Sequence, residues 1–254
     1  MTGLLGPLGV GRGDVVAVVG AGGKTALVYR LAAEAQGAGL RVLVTTTTHM
    51  GTLPEATTGR VFVEADGDPA TALEDALAHQ GLATLLGRRV REDKLEGILP
   101  ERVDTLARHA GVDLVLVEAD GARQRSLKVP APHEPVVPQS ATLVLVVAAL
   151  DVLGAPLDAQ RVHRLDLVTA AAGRAEGALI DEEVIAATLR HADGYPSRVP
   201  AGARAGVFLN KAEDEAGMRA AERIARGLVP PYAFVAAGSA RDGSARVWPG
   251  VASW

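Results

Sequence analysis

A glycine-rich loop between an apolar run and a helical run constrains the fold of this chain more than any other feature. Residues 15–19 are Val-Val-Ala-Val-Val, and residues 20–25 follow as Gly-Ala-Gly-Gly-Lys-Thr. The apolar run is typical of a strand buried on both faces, and the stretch from about Lys24 to Gln36 has the periodicity of an amphipathic helix. The sequence therefore predicts a strand–loop–helix unit near the start of an α/β fold.

This loop has the residue types that a phosphate site requires. Glycines let backbone amides approach phosphate oxygens, and the helix N-terminus favours an anion. Lys24 can reach the terminal phosphates of a nucleotide, and Thr25 can ligate Mg²⁺. The standard phosphate loop has a further glycine where this chain has Val18, so the loop here is shorter than standard. The alternative is a glycine-rich turn that carries a surface lysine. The predicted nucleotide-binding residues of the loop are Gly20, Ala21, Gly22, Gly23, Lys24 and Thr25.

Other apolar runs alternate with helical patterns along the rest of the chain. Further strands are predicted at residues 41–45, 61–65, 113–118, 143–148, 207–209 and 232–237, and further helices at 69–80 and 213–226. This alternation predicts a P-loop NTPase-like α/β fold, with a mainly parallel sheet and helices on both faces. We expect residues 1–254 to form one such domain, in which about 155–200 are a mostly helical insertion without a strand.

Composition excludes several other classes of protein. The 254 residues include no cysteine, so disulfides, thiolate metal sites and cysteine nucleophiles are excluded. A net charge of −4 gives no basic surface typical of nucleic-acid binding. The apolar runs are strand-sized, whereas a membrane span needs about 20 residues, and the first 13 residues lack a secretory pattern. We expect a cytoplasmic protein that binds neither nucleic acid nor membranes.

Acidic residues follow the predicted strand at 113–118. Glu118 ends this strand, and Asp120 and Gly121 come directly after it. The carboxyl ends of parallel strands line the ligand crevice of a doubly wound sheet. We expect Glu118 or Asp120 to bind Mg²⁺ or to orient water. Together with Lys24 they are the predicted catalytic residues. The amide of Gly121 is expected to contact the γ-phosphate. The alternative for Asp120 is a turn role beside a glycine.

Polar segments also follow two other predicted strands. Asn210-Lys211-Ala-Glu213 is similar to the guanine-reading Asn-Lys-x-Asp element of GTPases, but glutamate replaces the aspartate, so GTP and ATP both remain open. Its alternative is a polar strand end that caps the next helix. Thr47 lies in a run of four threonines and is predicted to complete Mg²⁺ coordination, as switch threonines do. A β-branched strand end is the alternative there.

Taken together, several segments resemble one known family. They are residues 20–25, 44–49, 117–122, 128–138, 162–164 and 209–212. These segments resemble the YqeC-type selenium-cofactor biosynthesis family, and the similarity runs from about residue 14 to 240. The resemblance implies an accessory protein whose partner is a selenium-dependent molybdenum hydroxylase or a selenium-cofactor protein. Residues 128–138 are the most specific segment, because no generic nucleotide fold requires them.

Wider similarities are restricted to single motifs. The Glu118-x-x-Gly121 element and the Asn-Lys element are similar to those of metallochaperone GTPases of the nickel and cobalamin pathways. The short phosphate loop resembles that of Mur-type ATP-dependent ligases instead.

A second group of polar residues is expected to act on a substrate or to couple to a partner. Lys128, His133 and Glu134 lie in a proline-flanked loop, where they can bind an anion or move protons. The alternative is a structural clamp in which Glu134 pairs with an arginine. His163 and Arg164 begin the helical insertion, where they are either a phosphate or partner contact or a helix-end pair.

Three functions follow from these residues. The first is a Mg²⁺-dependent GTP- or ATP-binding accessory protein that hydrolyses nucleotide during maturation of a selenium-containing molybdenum cofactor. The second is an ATP-dependent ligase or kinase acting on a small anionic acceptor. The third is a non-catalytic nucleotide-binding module for a protein partner.

Overall fold

The fold is built around a nine-stranded sheet with helices on both faces. The structure is a computed structural model and describes residues 3–51, 55–67, 69–92 and 94–250. The strands are β1 (Val15–Gly20), β2 (Val42–Thr46), β3 (His49–Gly51), β4 (Arg60–Val63), β5 (Leu82–Leu86), β6 (Arg88–Arg91), β7 (Lys94–Glu96), β8 (Leu114–Glu118), β9 (Leu127–Lys128), β10 (Leu143–Ala149), β11 (Val162–His163), β12 (Arg204–Asn210), β13 (Phe234–Ser239) and β14 (Ser244–Pro249). The helices are α1 (Leu5–Leu8), α2 (Lys24–Gly37), α3 (Glu55–Thr58), α4 (Ala70–Gln80), α5 (Pro100–Leu106), α6 (Leu165–Ala172), α7 (Glu182–Arg190) and α8 (Glu215–Arg226).

The large sheet has the strand order β14-β13-β12-β10-β1-β8-β2-β5-β4. Neighbouring strands are parallel except for β13 and β14, which are antiparallel. β1 lies at the centre, between β10 and β8, so the loop that follows it opens at the carboxyl edge of the sheet. The parallel strands on either side end at the same edge. This topology confirms the predicted mainly parallel α/β fold.

Two apolar cores cover the two faces of the sheet. Alternate residues of β1 point to opposite faces: Val15 and Ala17 belong to one core and Val16 and Val18 to the other. Helices α1 and α2 pack on the second face, whereas α4, α5, α6, α7 and α8 contribute to the first. None of the helices in the described ranges is long and apolar enough to cross a membrane.

The structure corrects several sequence-based boundaries. The predicted strand at 61–65 ends at Val63 and continues as a 3₁₀ turn. The strand predicted at 232–237 is followed by β14, which had no counterpart in the prediction and pairs with it at the edge of the sheet. The buried strand β5 had no counterpart in the prediction.

The segment at 155–200 also differs from the prediction. It lies between β10 and β12 and contains α6 and α7, as expected, but it also contains the short strand β11. β11 pairs in parallel with β9. A strand of two residues is too short to produce a periodic pattern, and its partner lies far away in the sequence.

Two glycines let the loop after β1 pack closely against β10. Gly20 has φ +97° and Gly22 has φ +86°, a region that side-chain-bearing residues rarely adopt. A Cβ at Gly20 would clash with the carbonyl oxygen of Val147, and one at Gly22 would clash with Ala149. Both conformation and space therefore require glycine at these positions.

We predict that Gly20→Ala lowers the free energy of unfolding by at least about 2 kcal/mol, because strain and a backbone clash add. Gly37→Ala is the matched control, since Gly37 ends α2 with open space around it. That change should be neutral or stabilising by up to about 1 kcal/mol. Chemical denaturation of the two variants measures both values. Equal stability of Gly20→Ala and the parent would contradict the packing described.

Candidate functional site

The loop between β1 and α2 presents the amino end of a long helix. Gly23 occupies the N-cap position, and no side chain in the described residues caps it. The first intrahelical bond runs from the amide of Leu27 to the carbonyl of Gly23, at 3.0 Å. Amides of the first turn therefore point beyond the helix, where they can meet an anion. This arrangement is compatible with the predicted phosphate-binding role of the loop.

Lys24 folds back over this loop. Its Nζ donates to the carbonyl oxygen of Gly20 at 2.9 Å and lies 3.3 Å from Asp120 Oδ1 and 3.7 Å from Glu118 Oε1. The side chain is only 4% exposed. The ammonium group is thus held at the mouth of the loop by acidic groups from the end of β8.

Thr25 and Glu118 bring a hydroxyl and a carboxylate together at the same edge. The Thr25 hydroxyl donates to Glu118 Oε2 at 2.7 Å. Burial raises the pKa of Glu118 above its usual range, although Lys24 and Thr25 oppose this shift. The described residues contain no group of three or more His, Cys, Asp or Glu side chains that could cage a metal. One hydroxyl and one carboxylate fit Mg²⁺, which binds few protein ligands and takes the rest from phosphates and water.

Asp120 is fully buried and accepts hydrogen bonds from several elements. The amide of Gly20 lies 3.1 Å from both of its oxygens. Oδ2 also accepts from Lys128 Nζ at 2.8 Å and from the Tyr195 hydroxyl at 3.1 Å, while Oδ1 faces Lys24. With its oxygens occupied in this way, Asp120 organises the loop, and the geometry favours Glu118 as the carboxylate on the metal side.

A chain of buried charges continues from Asp120 into the proline-flanked loop. Lys128 Nζ donates to the Gly121 carbonyl at 2.6 Å and lies 2.8 Å from Glu134 Oε2. Arg164 reaches the same Glu134 oxygen at 2.9 Å. Burial would raise the pKa of Glu134, but the charges of Lys128 and Arg164 outweigh it and lower that pKa. The structure therefore brings Lys128, Glu134 and Arg164 together in one network.

His133 does not join this network, contrary to the expected grouping with Lys128 and Glu134. It lies exposed in a turn that the amide of Glu134 closes by donating to the carbonyl of Ala131, at 2.9 Å. The turn directs the backbone inward at Glu134 and leaves His133 outside.

His163 is half-buried and pairs in register with Lys128 across β11 and β9. Burial, together with the positive charges of Arg164, Lys128 and Arg123, lowers the pKa of His163 to about 4 against the opposing charge of Glu134. The imidazole is therefore neutral near pH 7, in surroundings with an excess of positive charge. Such surroundings favour an anion.

Asn210 connects the phosphate loop to a neighbouring strand end. Its Nδ2 donates to the carbonyl of Gly22 at 2.8 Å, and its Oδ1 accepts from the amide of Ala240 at 3.0 Å. A Cβ at Gly23 would clash with the same Asn210 amide group. Asn210 thus fixes the loop relative to the ends of β12 and β13.

Lys211 and Glu213 lie exposed beyond Asn210. Lys211 has the left-handed φ of +61°, and its Nζ lies 2.6 Å from Asp151 Oδ2. Glu213 Oε1 accepts from the Ser239 hydroxyl at 3.2 Å. Both side chains therefore follow the carboxyl end of β12 and contact residues that follow or end the neighbouring strands β10 and β13.

Thr47 lies just after β2, near the acidic edge. Its hydroxyl donates to the carbonyl of Val136 at 2.7 Å, and its amide donates to the carbonyl of Glu118 at 3.2 Å. Metal coordination by Thr47 would use the remaining lone pairs of this oxygen, or a rotated hydroxyl.

Sequence reasoning missed Tyr195 and Ser239. Tyr195 is fully buried and bonded to Asp120, yet it lies in the alanine-rich segment at 155–200. The one feature that could have drawn attention to Tyr195 is the rarity of its residue type, since the chain has only three tyrosines and few aromatic residues of any kind. Ser239 gave no signal, because a serine after a strand is an ordinary turn residue.

Known proteins are similar to most of this chain. Residues 16–166 match the family model described as YqeC protein. The uncharacterized protein YqeC of Escherichia coli strain K12 is 36% identical over 200 residues, which are 79% of this chain and 77% of that protein.

Solved structures of FtsY show a weaker similarity. Chloroplast FtsY from Physcomitrella patens has a TM-score of 0.47 at 18% identity, and FtsY from Mycoplasma mycoides has 0.39 at 14%. The matches cover 99% and 94% of this chain, but it spans only 66% and 63% of those two chains. At these TM-scores the similarity supports no conclusion about activity.

The family match covers more than half of the chain, and the related bacterial protein matches it over more than three quarters of its length. This chain belongs to the YqeC protein family.

Proposed function

We propose that this protein binds GTP or ATP together with Mg²⁺ and hydrolyses the nucleotide. The observation that carries the proposal is the arrangement of Lys24, Thr25, Glu118 and Asp120 around an uncapped helix N-terminus at the carboxyl edge of a parallel sheet. Backbone donors, one ammonium group and a hydroxyl–carboxylate pair are the parts that phosphoryl-transfer sites share.

In the proposed complex each group has a separate role. Lys24 turns from the Gly20 carbonyl and Asp120 towards the β and γ phosphates. Thr25 and Glu118 would hold Mg²⁺, which would supply positive charge to the phosphates. Glu118 also orients a water for in-line attack on the γ-phosphorus, while the bond from that phosphorus to the β–γ bridging oxygen breaks and gives inorganic phosphate and the nucleoside diphosphate. The amide of Gly121 faces the oxygens that gain charge.

The base is proposed to lie beside Asn210, Lys211 and Glu213. Asn210 already fixes the phosphate loop through Gly22, so a base bound next to it would be held in register with the phosphates. Glu213 and Lys211 follow Asn210 at the same carboxyl end of β12 and are exposed. Glu213 is one methylene longer than the aspartate of the guanine-reading element of GTPases. The proposal therefore includes both GTP and ATP, and binding experiments decide between them.

We further propose that this activity serves maturation of a selenium-containing molybdenum cofactor in a hydroxylase, in the cytoplasm. Support for this role comes from the sequence resemblance to the selenium-cofactor biosynthesis family, above all from residues 128–138. In this proposal the network of Lys128, Glu134 and Arg164 transmits the nucleotide state to the partner protein.

One observation favours a second candidate, phosphoryl transfer to a small anionic acceptor. His163 is surrounded by the positive charges of Arg164, Lys128 and Arg123, which would hold an anion near the γ-phosphate. Turnover with nucleotide alone favours hydrolysis, whereas turnover that requires an added acceptor favours the second candidate. Tight binding without turnover would favour a non-catalytic module.

We predict that Lys24→Ala weakens Mg-nucleotide binding by about 2–4 kcal/mol, the scale of lost charge-assisted contacts. Lys94→Ala is the matched control, because Lys94 lies in β7 of the separate three-stranded sheet. It should bind nucleotide as the parent does. Fluorescence titration with a labelled nucleotide measures both affinities, and thermal melting shows that both variants fold. Parent-like binding by a folded Lys24→Ala would refute the proposed phosphate site.

We predict that Glu213→Asp raises the ratio of GTP affinity to ATP affinity at least about fivefold, since a hydrogen bond from a charged group to the base is at stake. Glu215→Asp provides the control, because Glu215 is exposed in the first turn of α8. Competition titrations with both nucleotides give the ratio for each variant. An unchanged ratio in Glu213→Asp would remove this residue from the base site.

A further inference from the structure

Tyr195 connects two parts of the chain that are remote in sequence. It follows α7 in the segment at 155–200, and its hydroxyl donates to Asp120 Oδ2 at 3.1 Å. Both side chains are fully buried. Burial and the nearby charge of Asp120 raise the pKa of Tyr195 well above its usual range, so the hydroxyl stays protonated. The carboxylate that organises the phosphate loop therefore accepts a hydrogen bond from this segment.

The two oxygens of Asp120 have different partners. Oδ1 faces Lys24 Nζ at 3.3 Å, and Oδ2 faces Lys128 and Tyr195. When Lys24 turns to a phosphate, Asp120 loses one cationic partner in a buried site. A buried carboxylate that loses a partner raises the free energy of that state unless other donors satisfy it.

Lys128 already contacts three oxygen atoms, so it has no free N–H group to replace the Tyr195 hydroxyl. Lys128 Nζ donates to Asp120 Oδ2 at 2.8 Å and to the Gly121 carbonyl at 2.6 Å, and it also forms an ion pair with Glu134 Oε2 at 2.8 Å. These contacts occupy all sides of an ammonium group that has three N–H donors. The Tyr195 hydroxyl is thus a donor that continues to stabilise the Asp120 carboxylate, through Oδ2, when Lys24 leaves Oδ1.

The same segment is attached to the network at a second point. Arg164 lies at the amino end of α6 and contacts Glu134, which in turn contacts Lys128. Arg164 and Tyr195 come from the beginning and the end of the α6–α7 region. Both ends of this region are therefore tied to the groups around Asp120.

From this geometry we infer that Tyr195 is a positioning residue that couples residues 155–200 to the nucleotide. It satisfies Asp120 while Lys24 binds phosphate, and so lowers the free energy of the nucleotide-bound state. The inference rests on the proposed nucleotide site. Because coupling between two sites is reciprocal, bound nucleotide changes the stability of the segment that carries Tyr195.

The test compares Tyr195→Phe with Tyr232→Phe. Tyr232 is the matched control: it is also buried, and its hydroxyl donates to the carbonyl of Leu189 in α7 at 2.6 Å, away from Asp120. Calorimetric titration with Mg-ATP and Mg-GTP should give about tenfold weaker affinity for Tyr195→Phe, the scale of one hydrogen bond to a charged group. Tyr232→Phe should stay within about twofold of the parent, even where its melting temperature falls.

Parent-like affinity of Tyr195→Phe would overturn the inference. So would losses in both variants that follow their melting temperatures, since that pattern marks a structural role. Hydrogen exchange of the parent gives an independent result should Tyr195→Phe fail to fold: Mg-nucleotide should slow exchange in residues 182–196, and unchanged exchange there overturns the inference. If the parent protein binds neither nucleotide, the proposed function itself is refuted. This result distinguishes a failure of the proposed function from a failure of the inference about Tyr195.

Discussion

The rest of the site depends on one buried carboxylate, Asp120. Burying an unpaired carboxylate costs several kcal/mol, so the fold must provide donors for it. It does so from four places: the end of β1, the start of α2, β9 and the segment after α7. Removing Asp120 would leave two buried lysines without their shared partner. The phosphate loop, the acidic strand end and the inserted helices are thus held in one arrangement by the same charge.

Parallel topology explains why these groups meet. β1, β8 and β12 end at one edge of the sheet, so the loop after β1, Glu118 and Asn210 come together although they lie far apart in the chain. Glycines at 20, 22 and 23 then allow contacts that any side chain would block. The short phosphate loop is compatible with this packing because it lies directly against β10, and Asn210 holds it from the other side.

Local patterns predicted the parts of the site that lie within one strand and its following loop. The phosphate loop and Glu118 follow valine-rich apolar runs, and the Asn210 element follows the apolar run Val-Phe-Leu. Valine-rich runs are a clear strand signal. β5 escaped prediction because its sequence, Leu-Ala-Thr-Leu-Leu, lacks such a run. Tyr195 could not be predicted, because its partner lies 75 residues away and no periodicity marks the contact. His133 was grouped with its sequence neighbours, but a turn directs it outward.

Calorimetric titration of the parent protein with ATP and with GTP, each with and without Mg²⁺, tests the central claim most directly. The account predicts saturable binding of at least one of the two nucleotides, at one site per chain. It also predicts weaker binding without Mg²⁺, since the positive charge that the Thr25–Glu118 pair would hold beside the phosphates is then missing. Absence of binding by both nucleotides in the presence of Mg²⁺ would contradict the account.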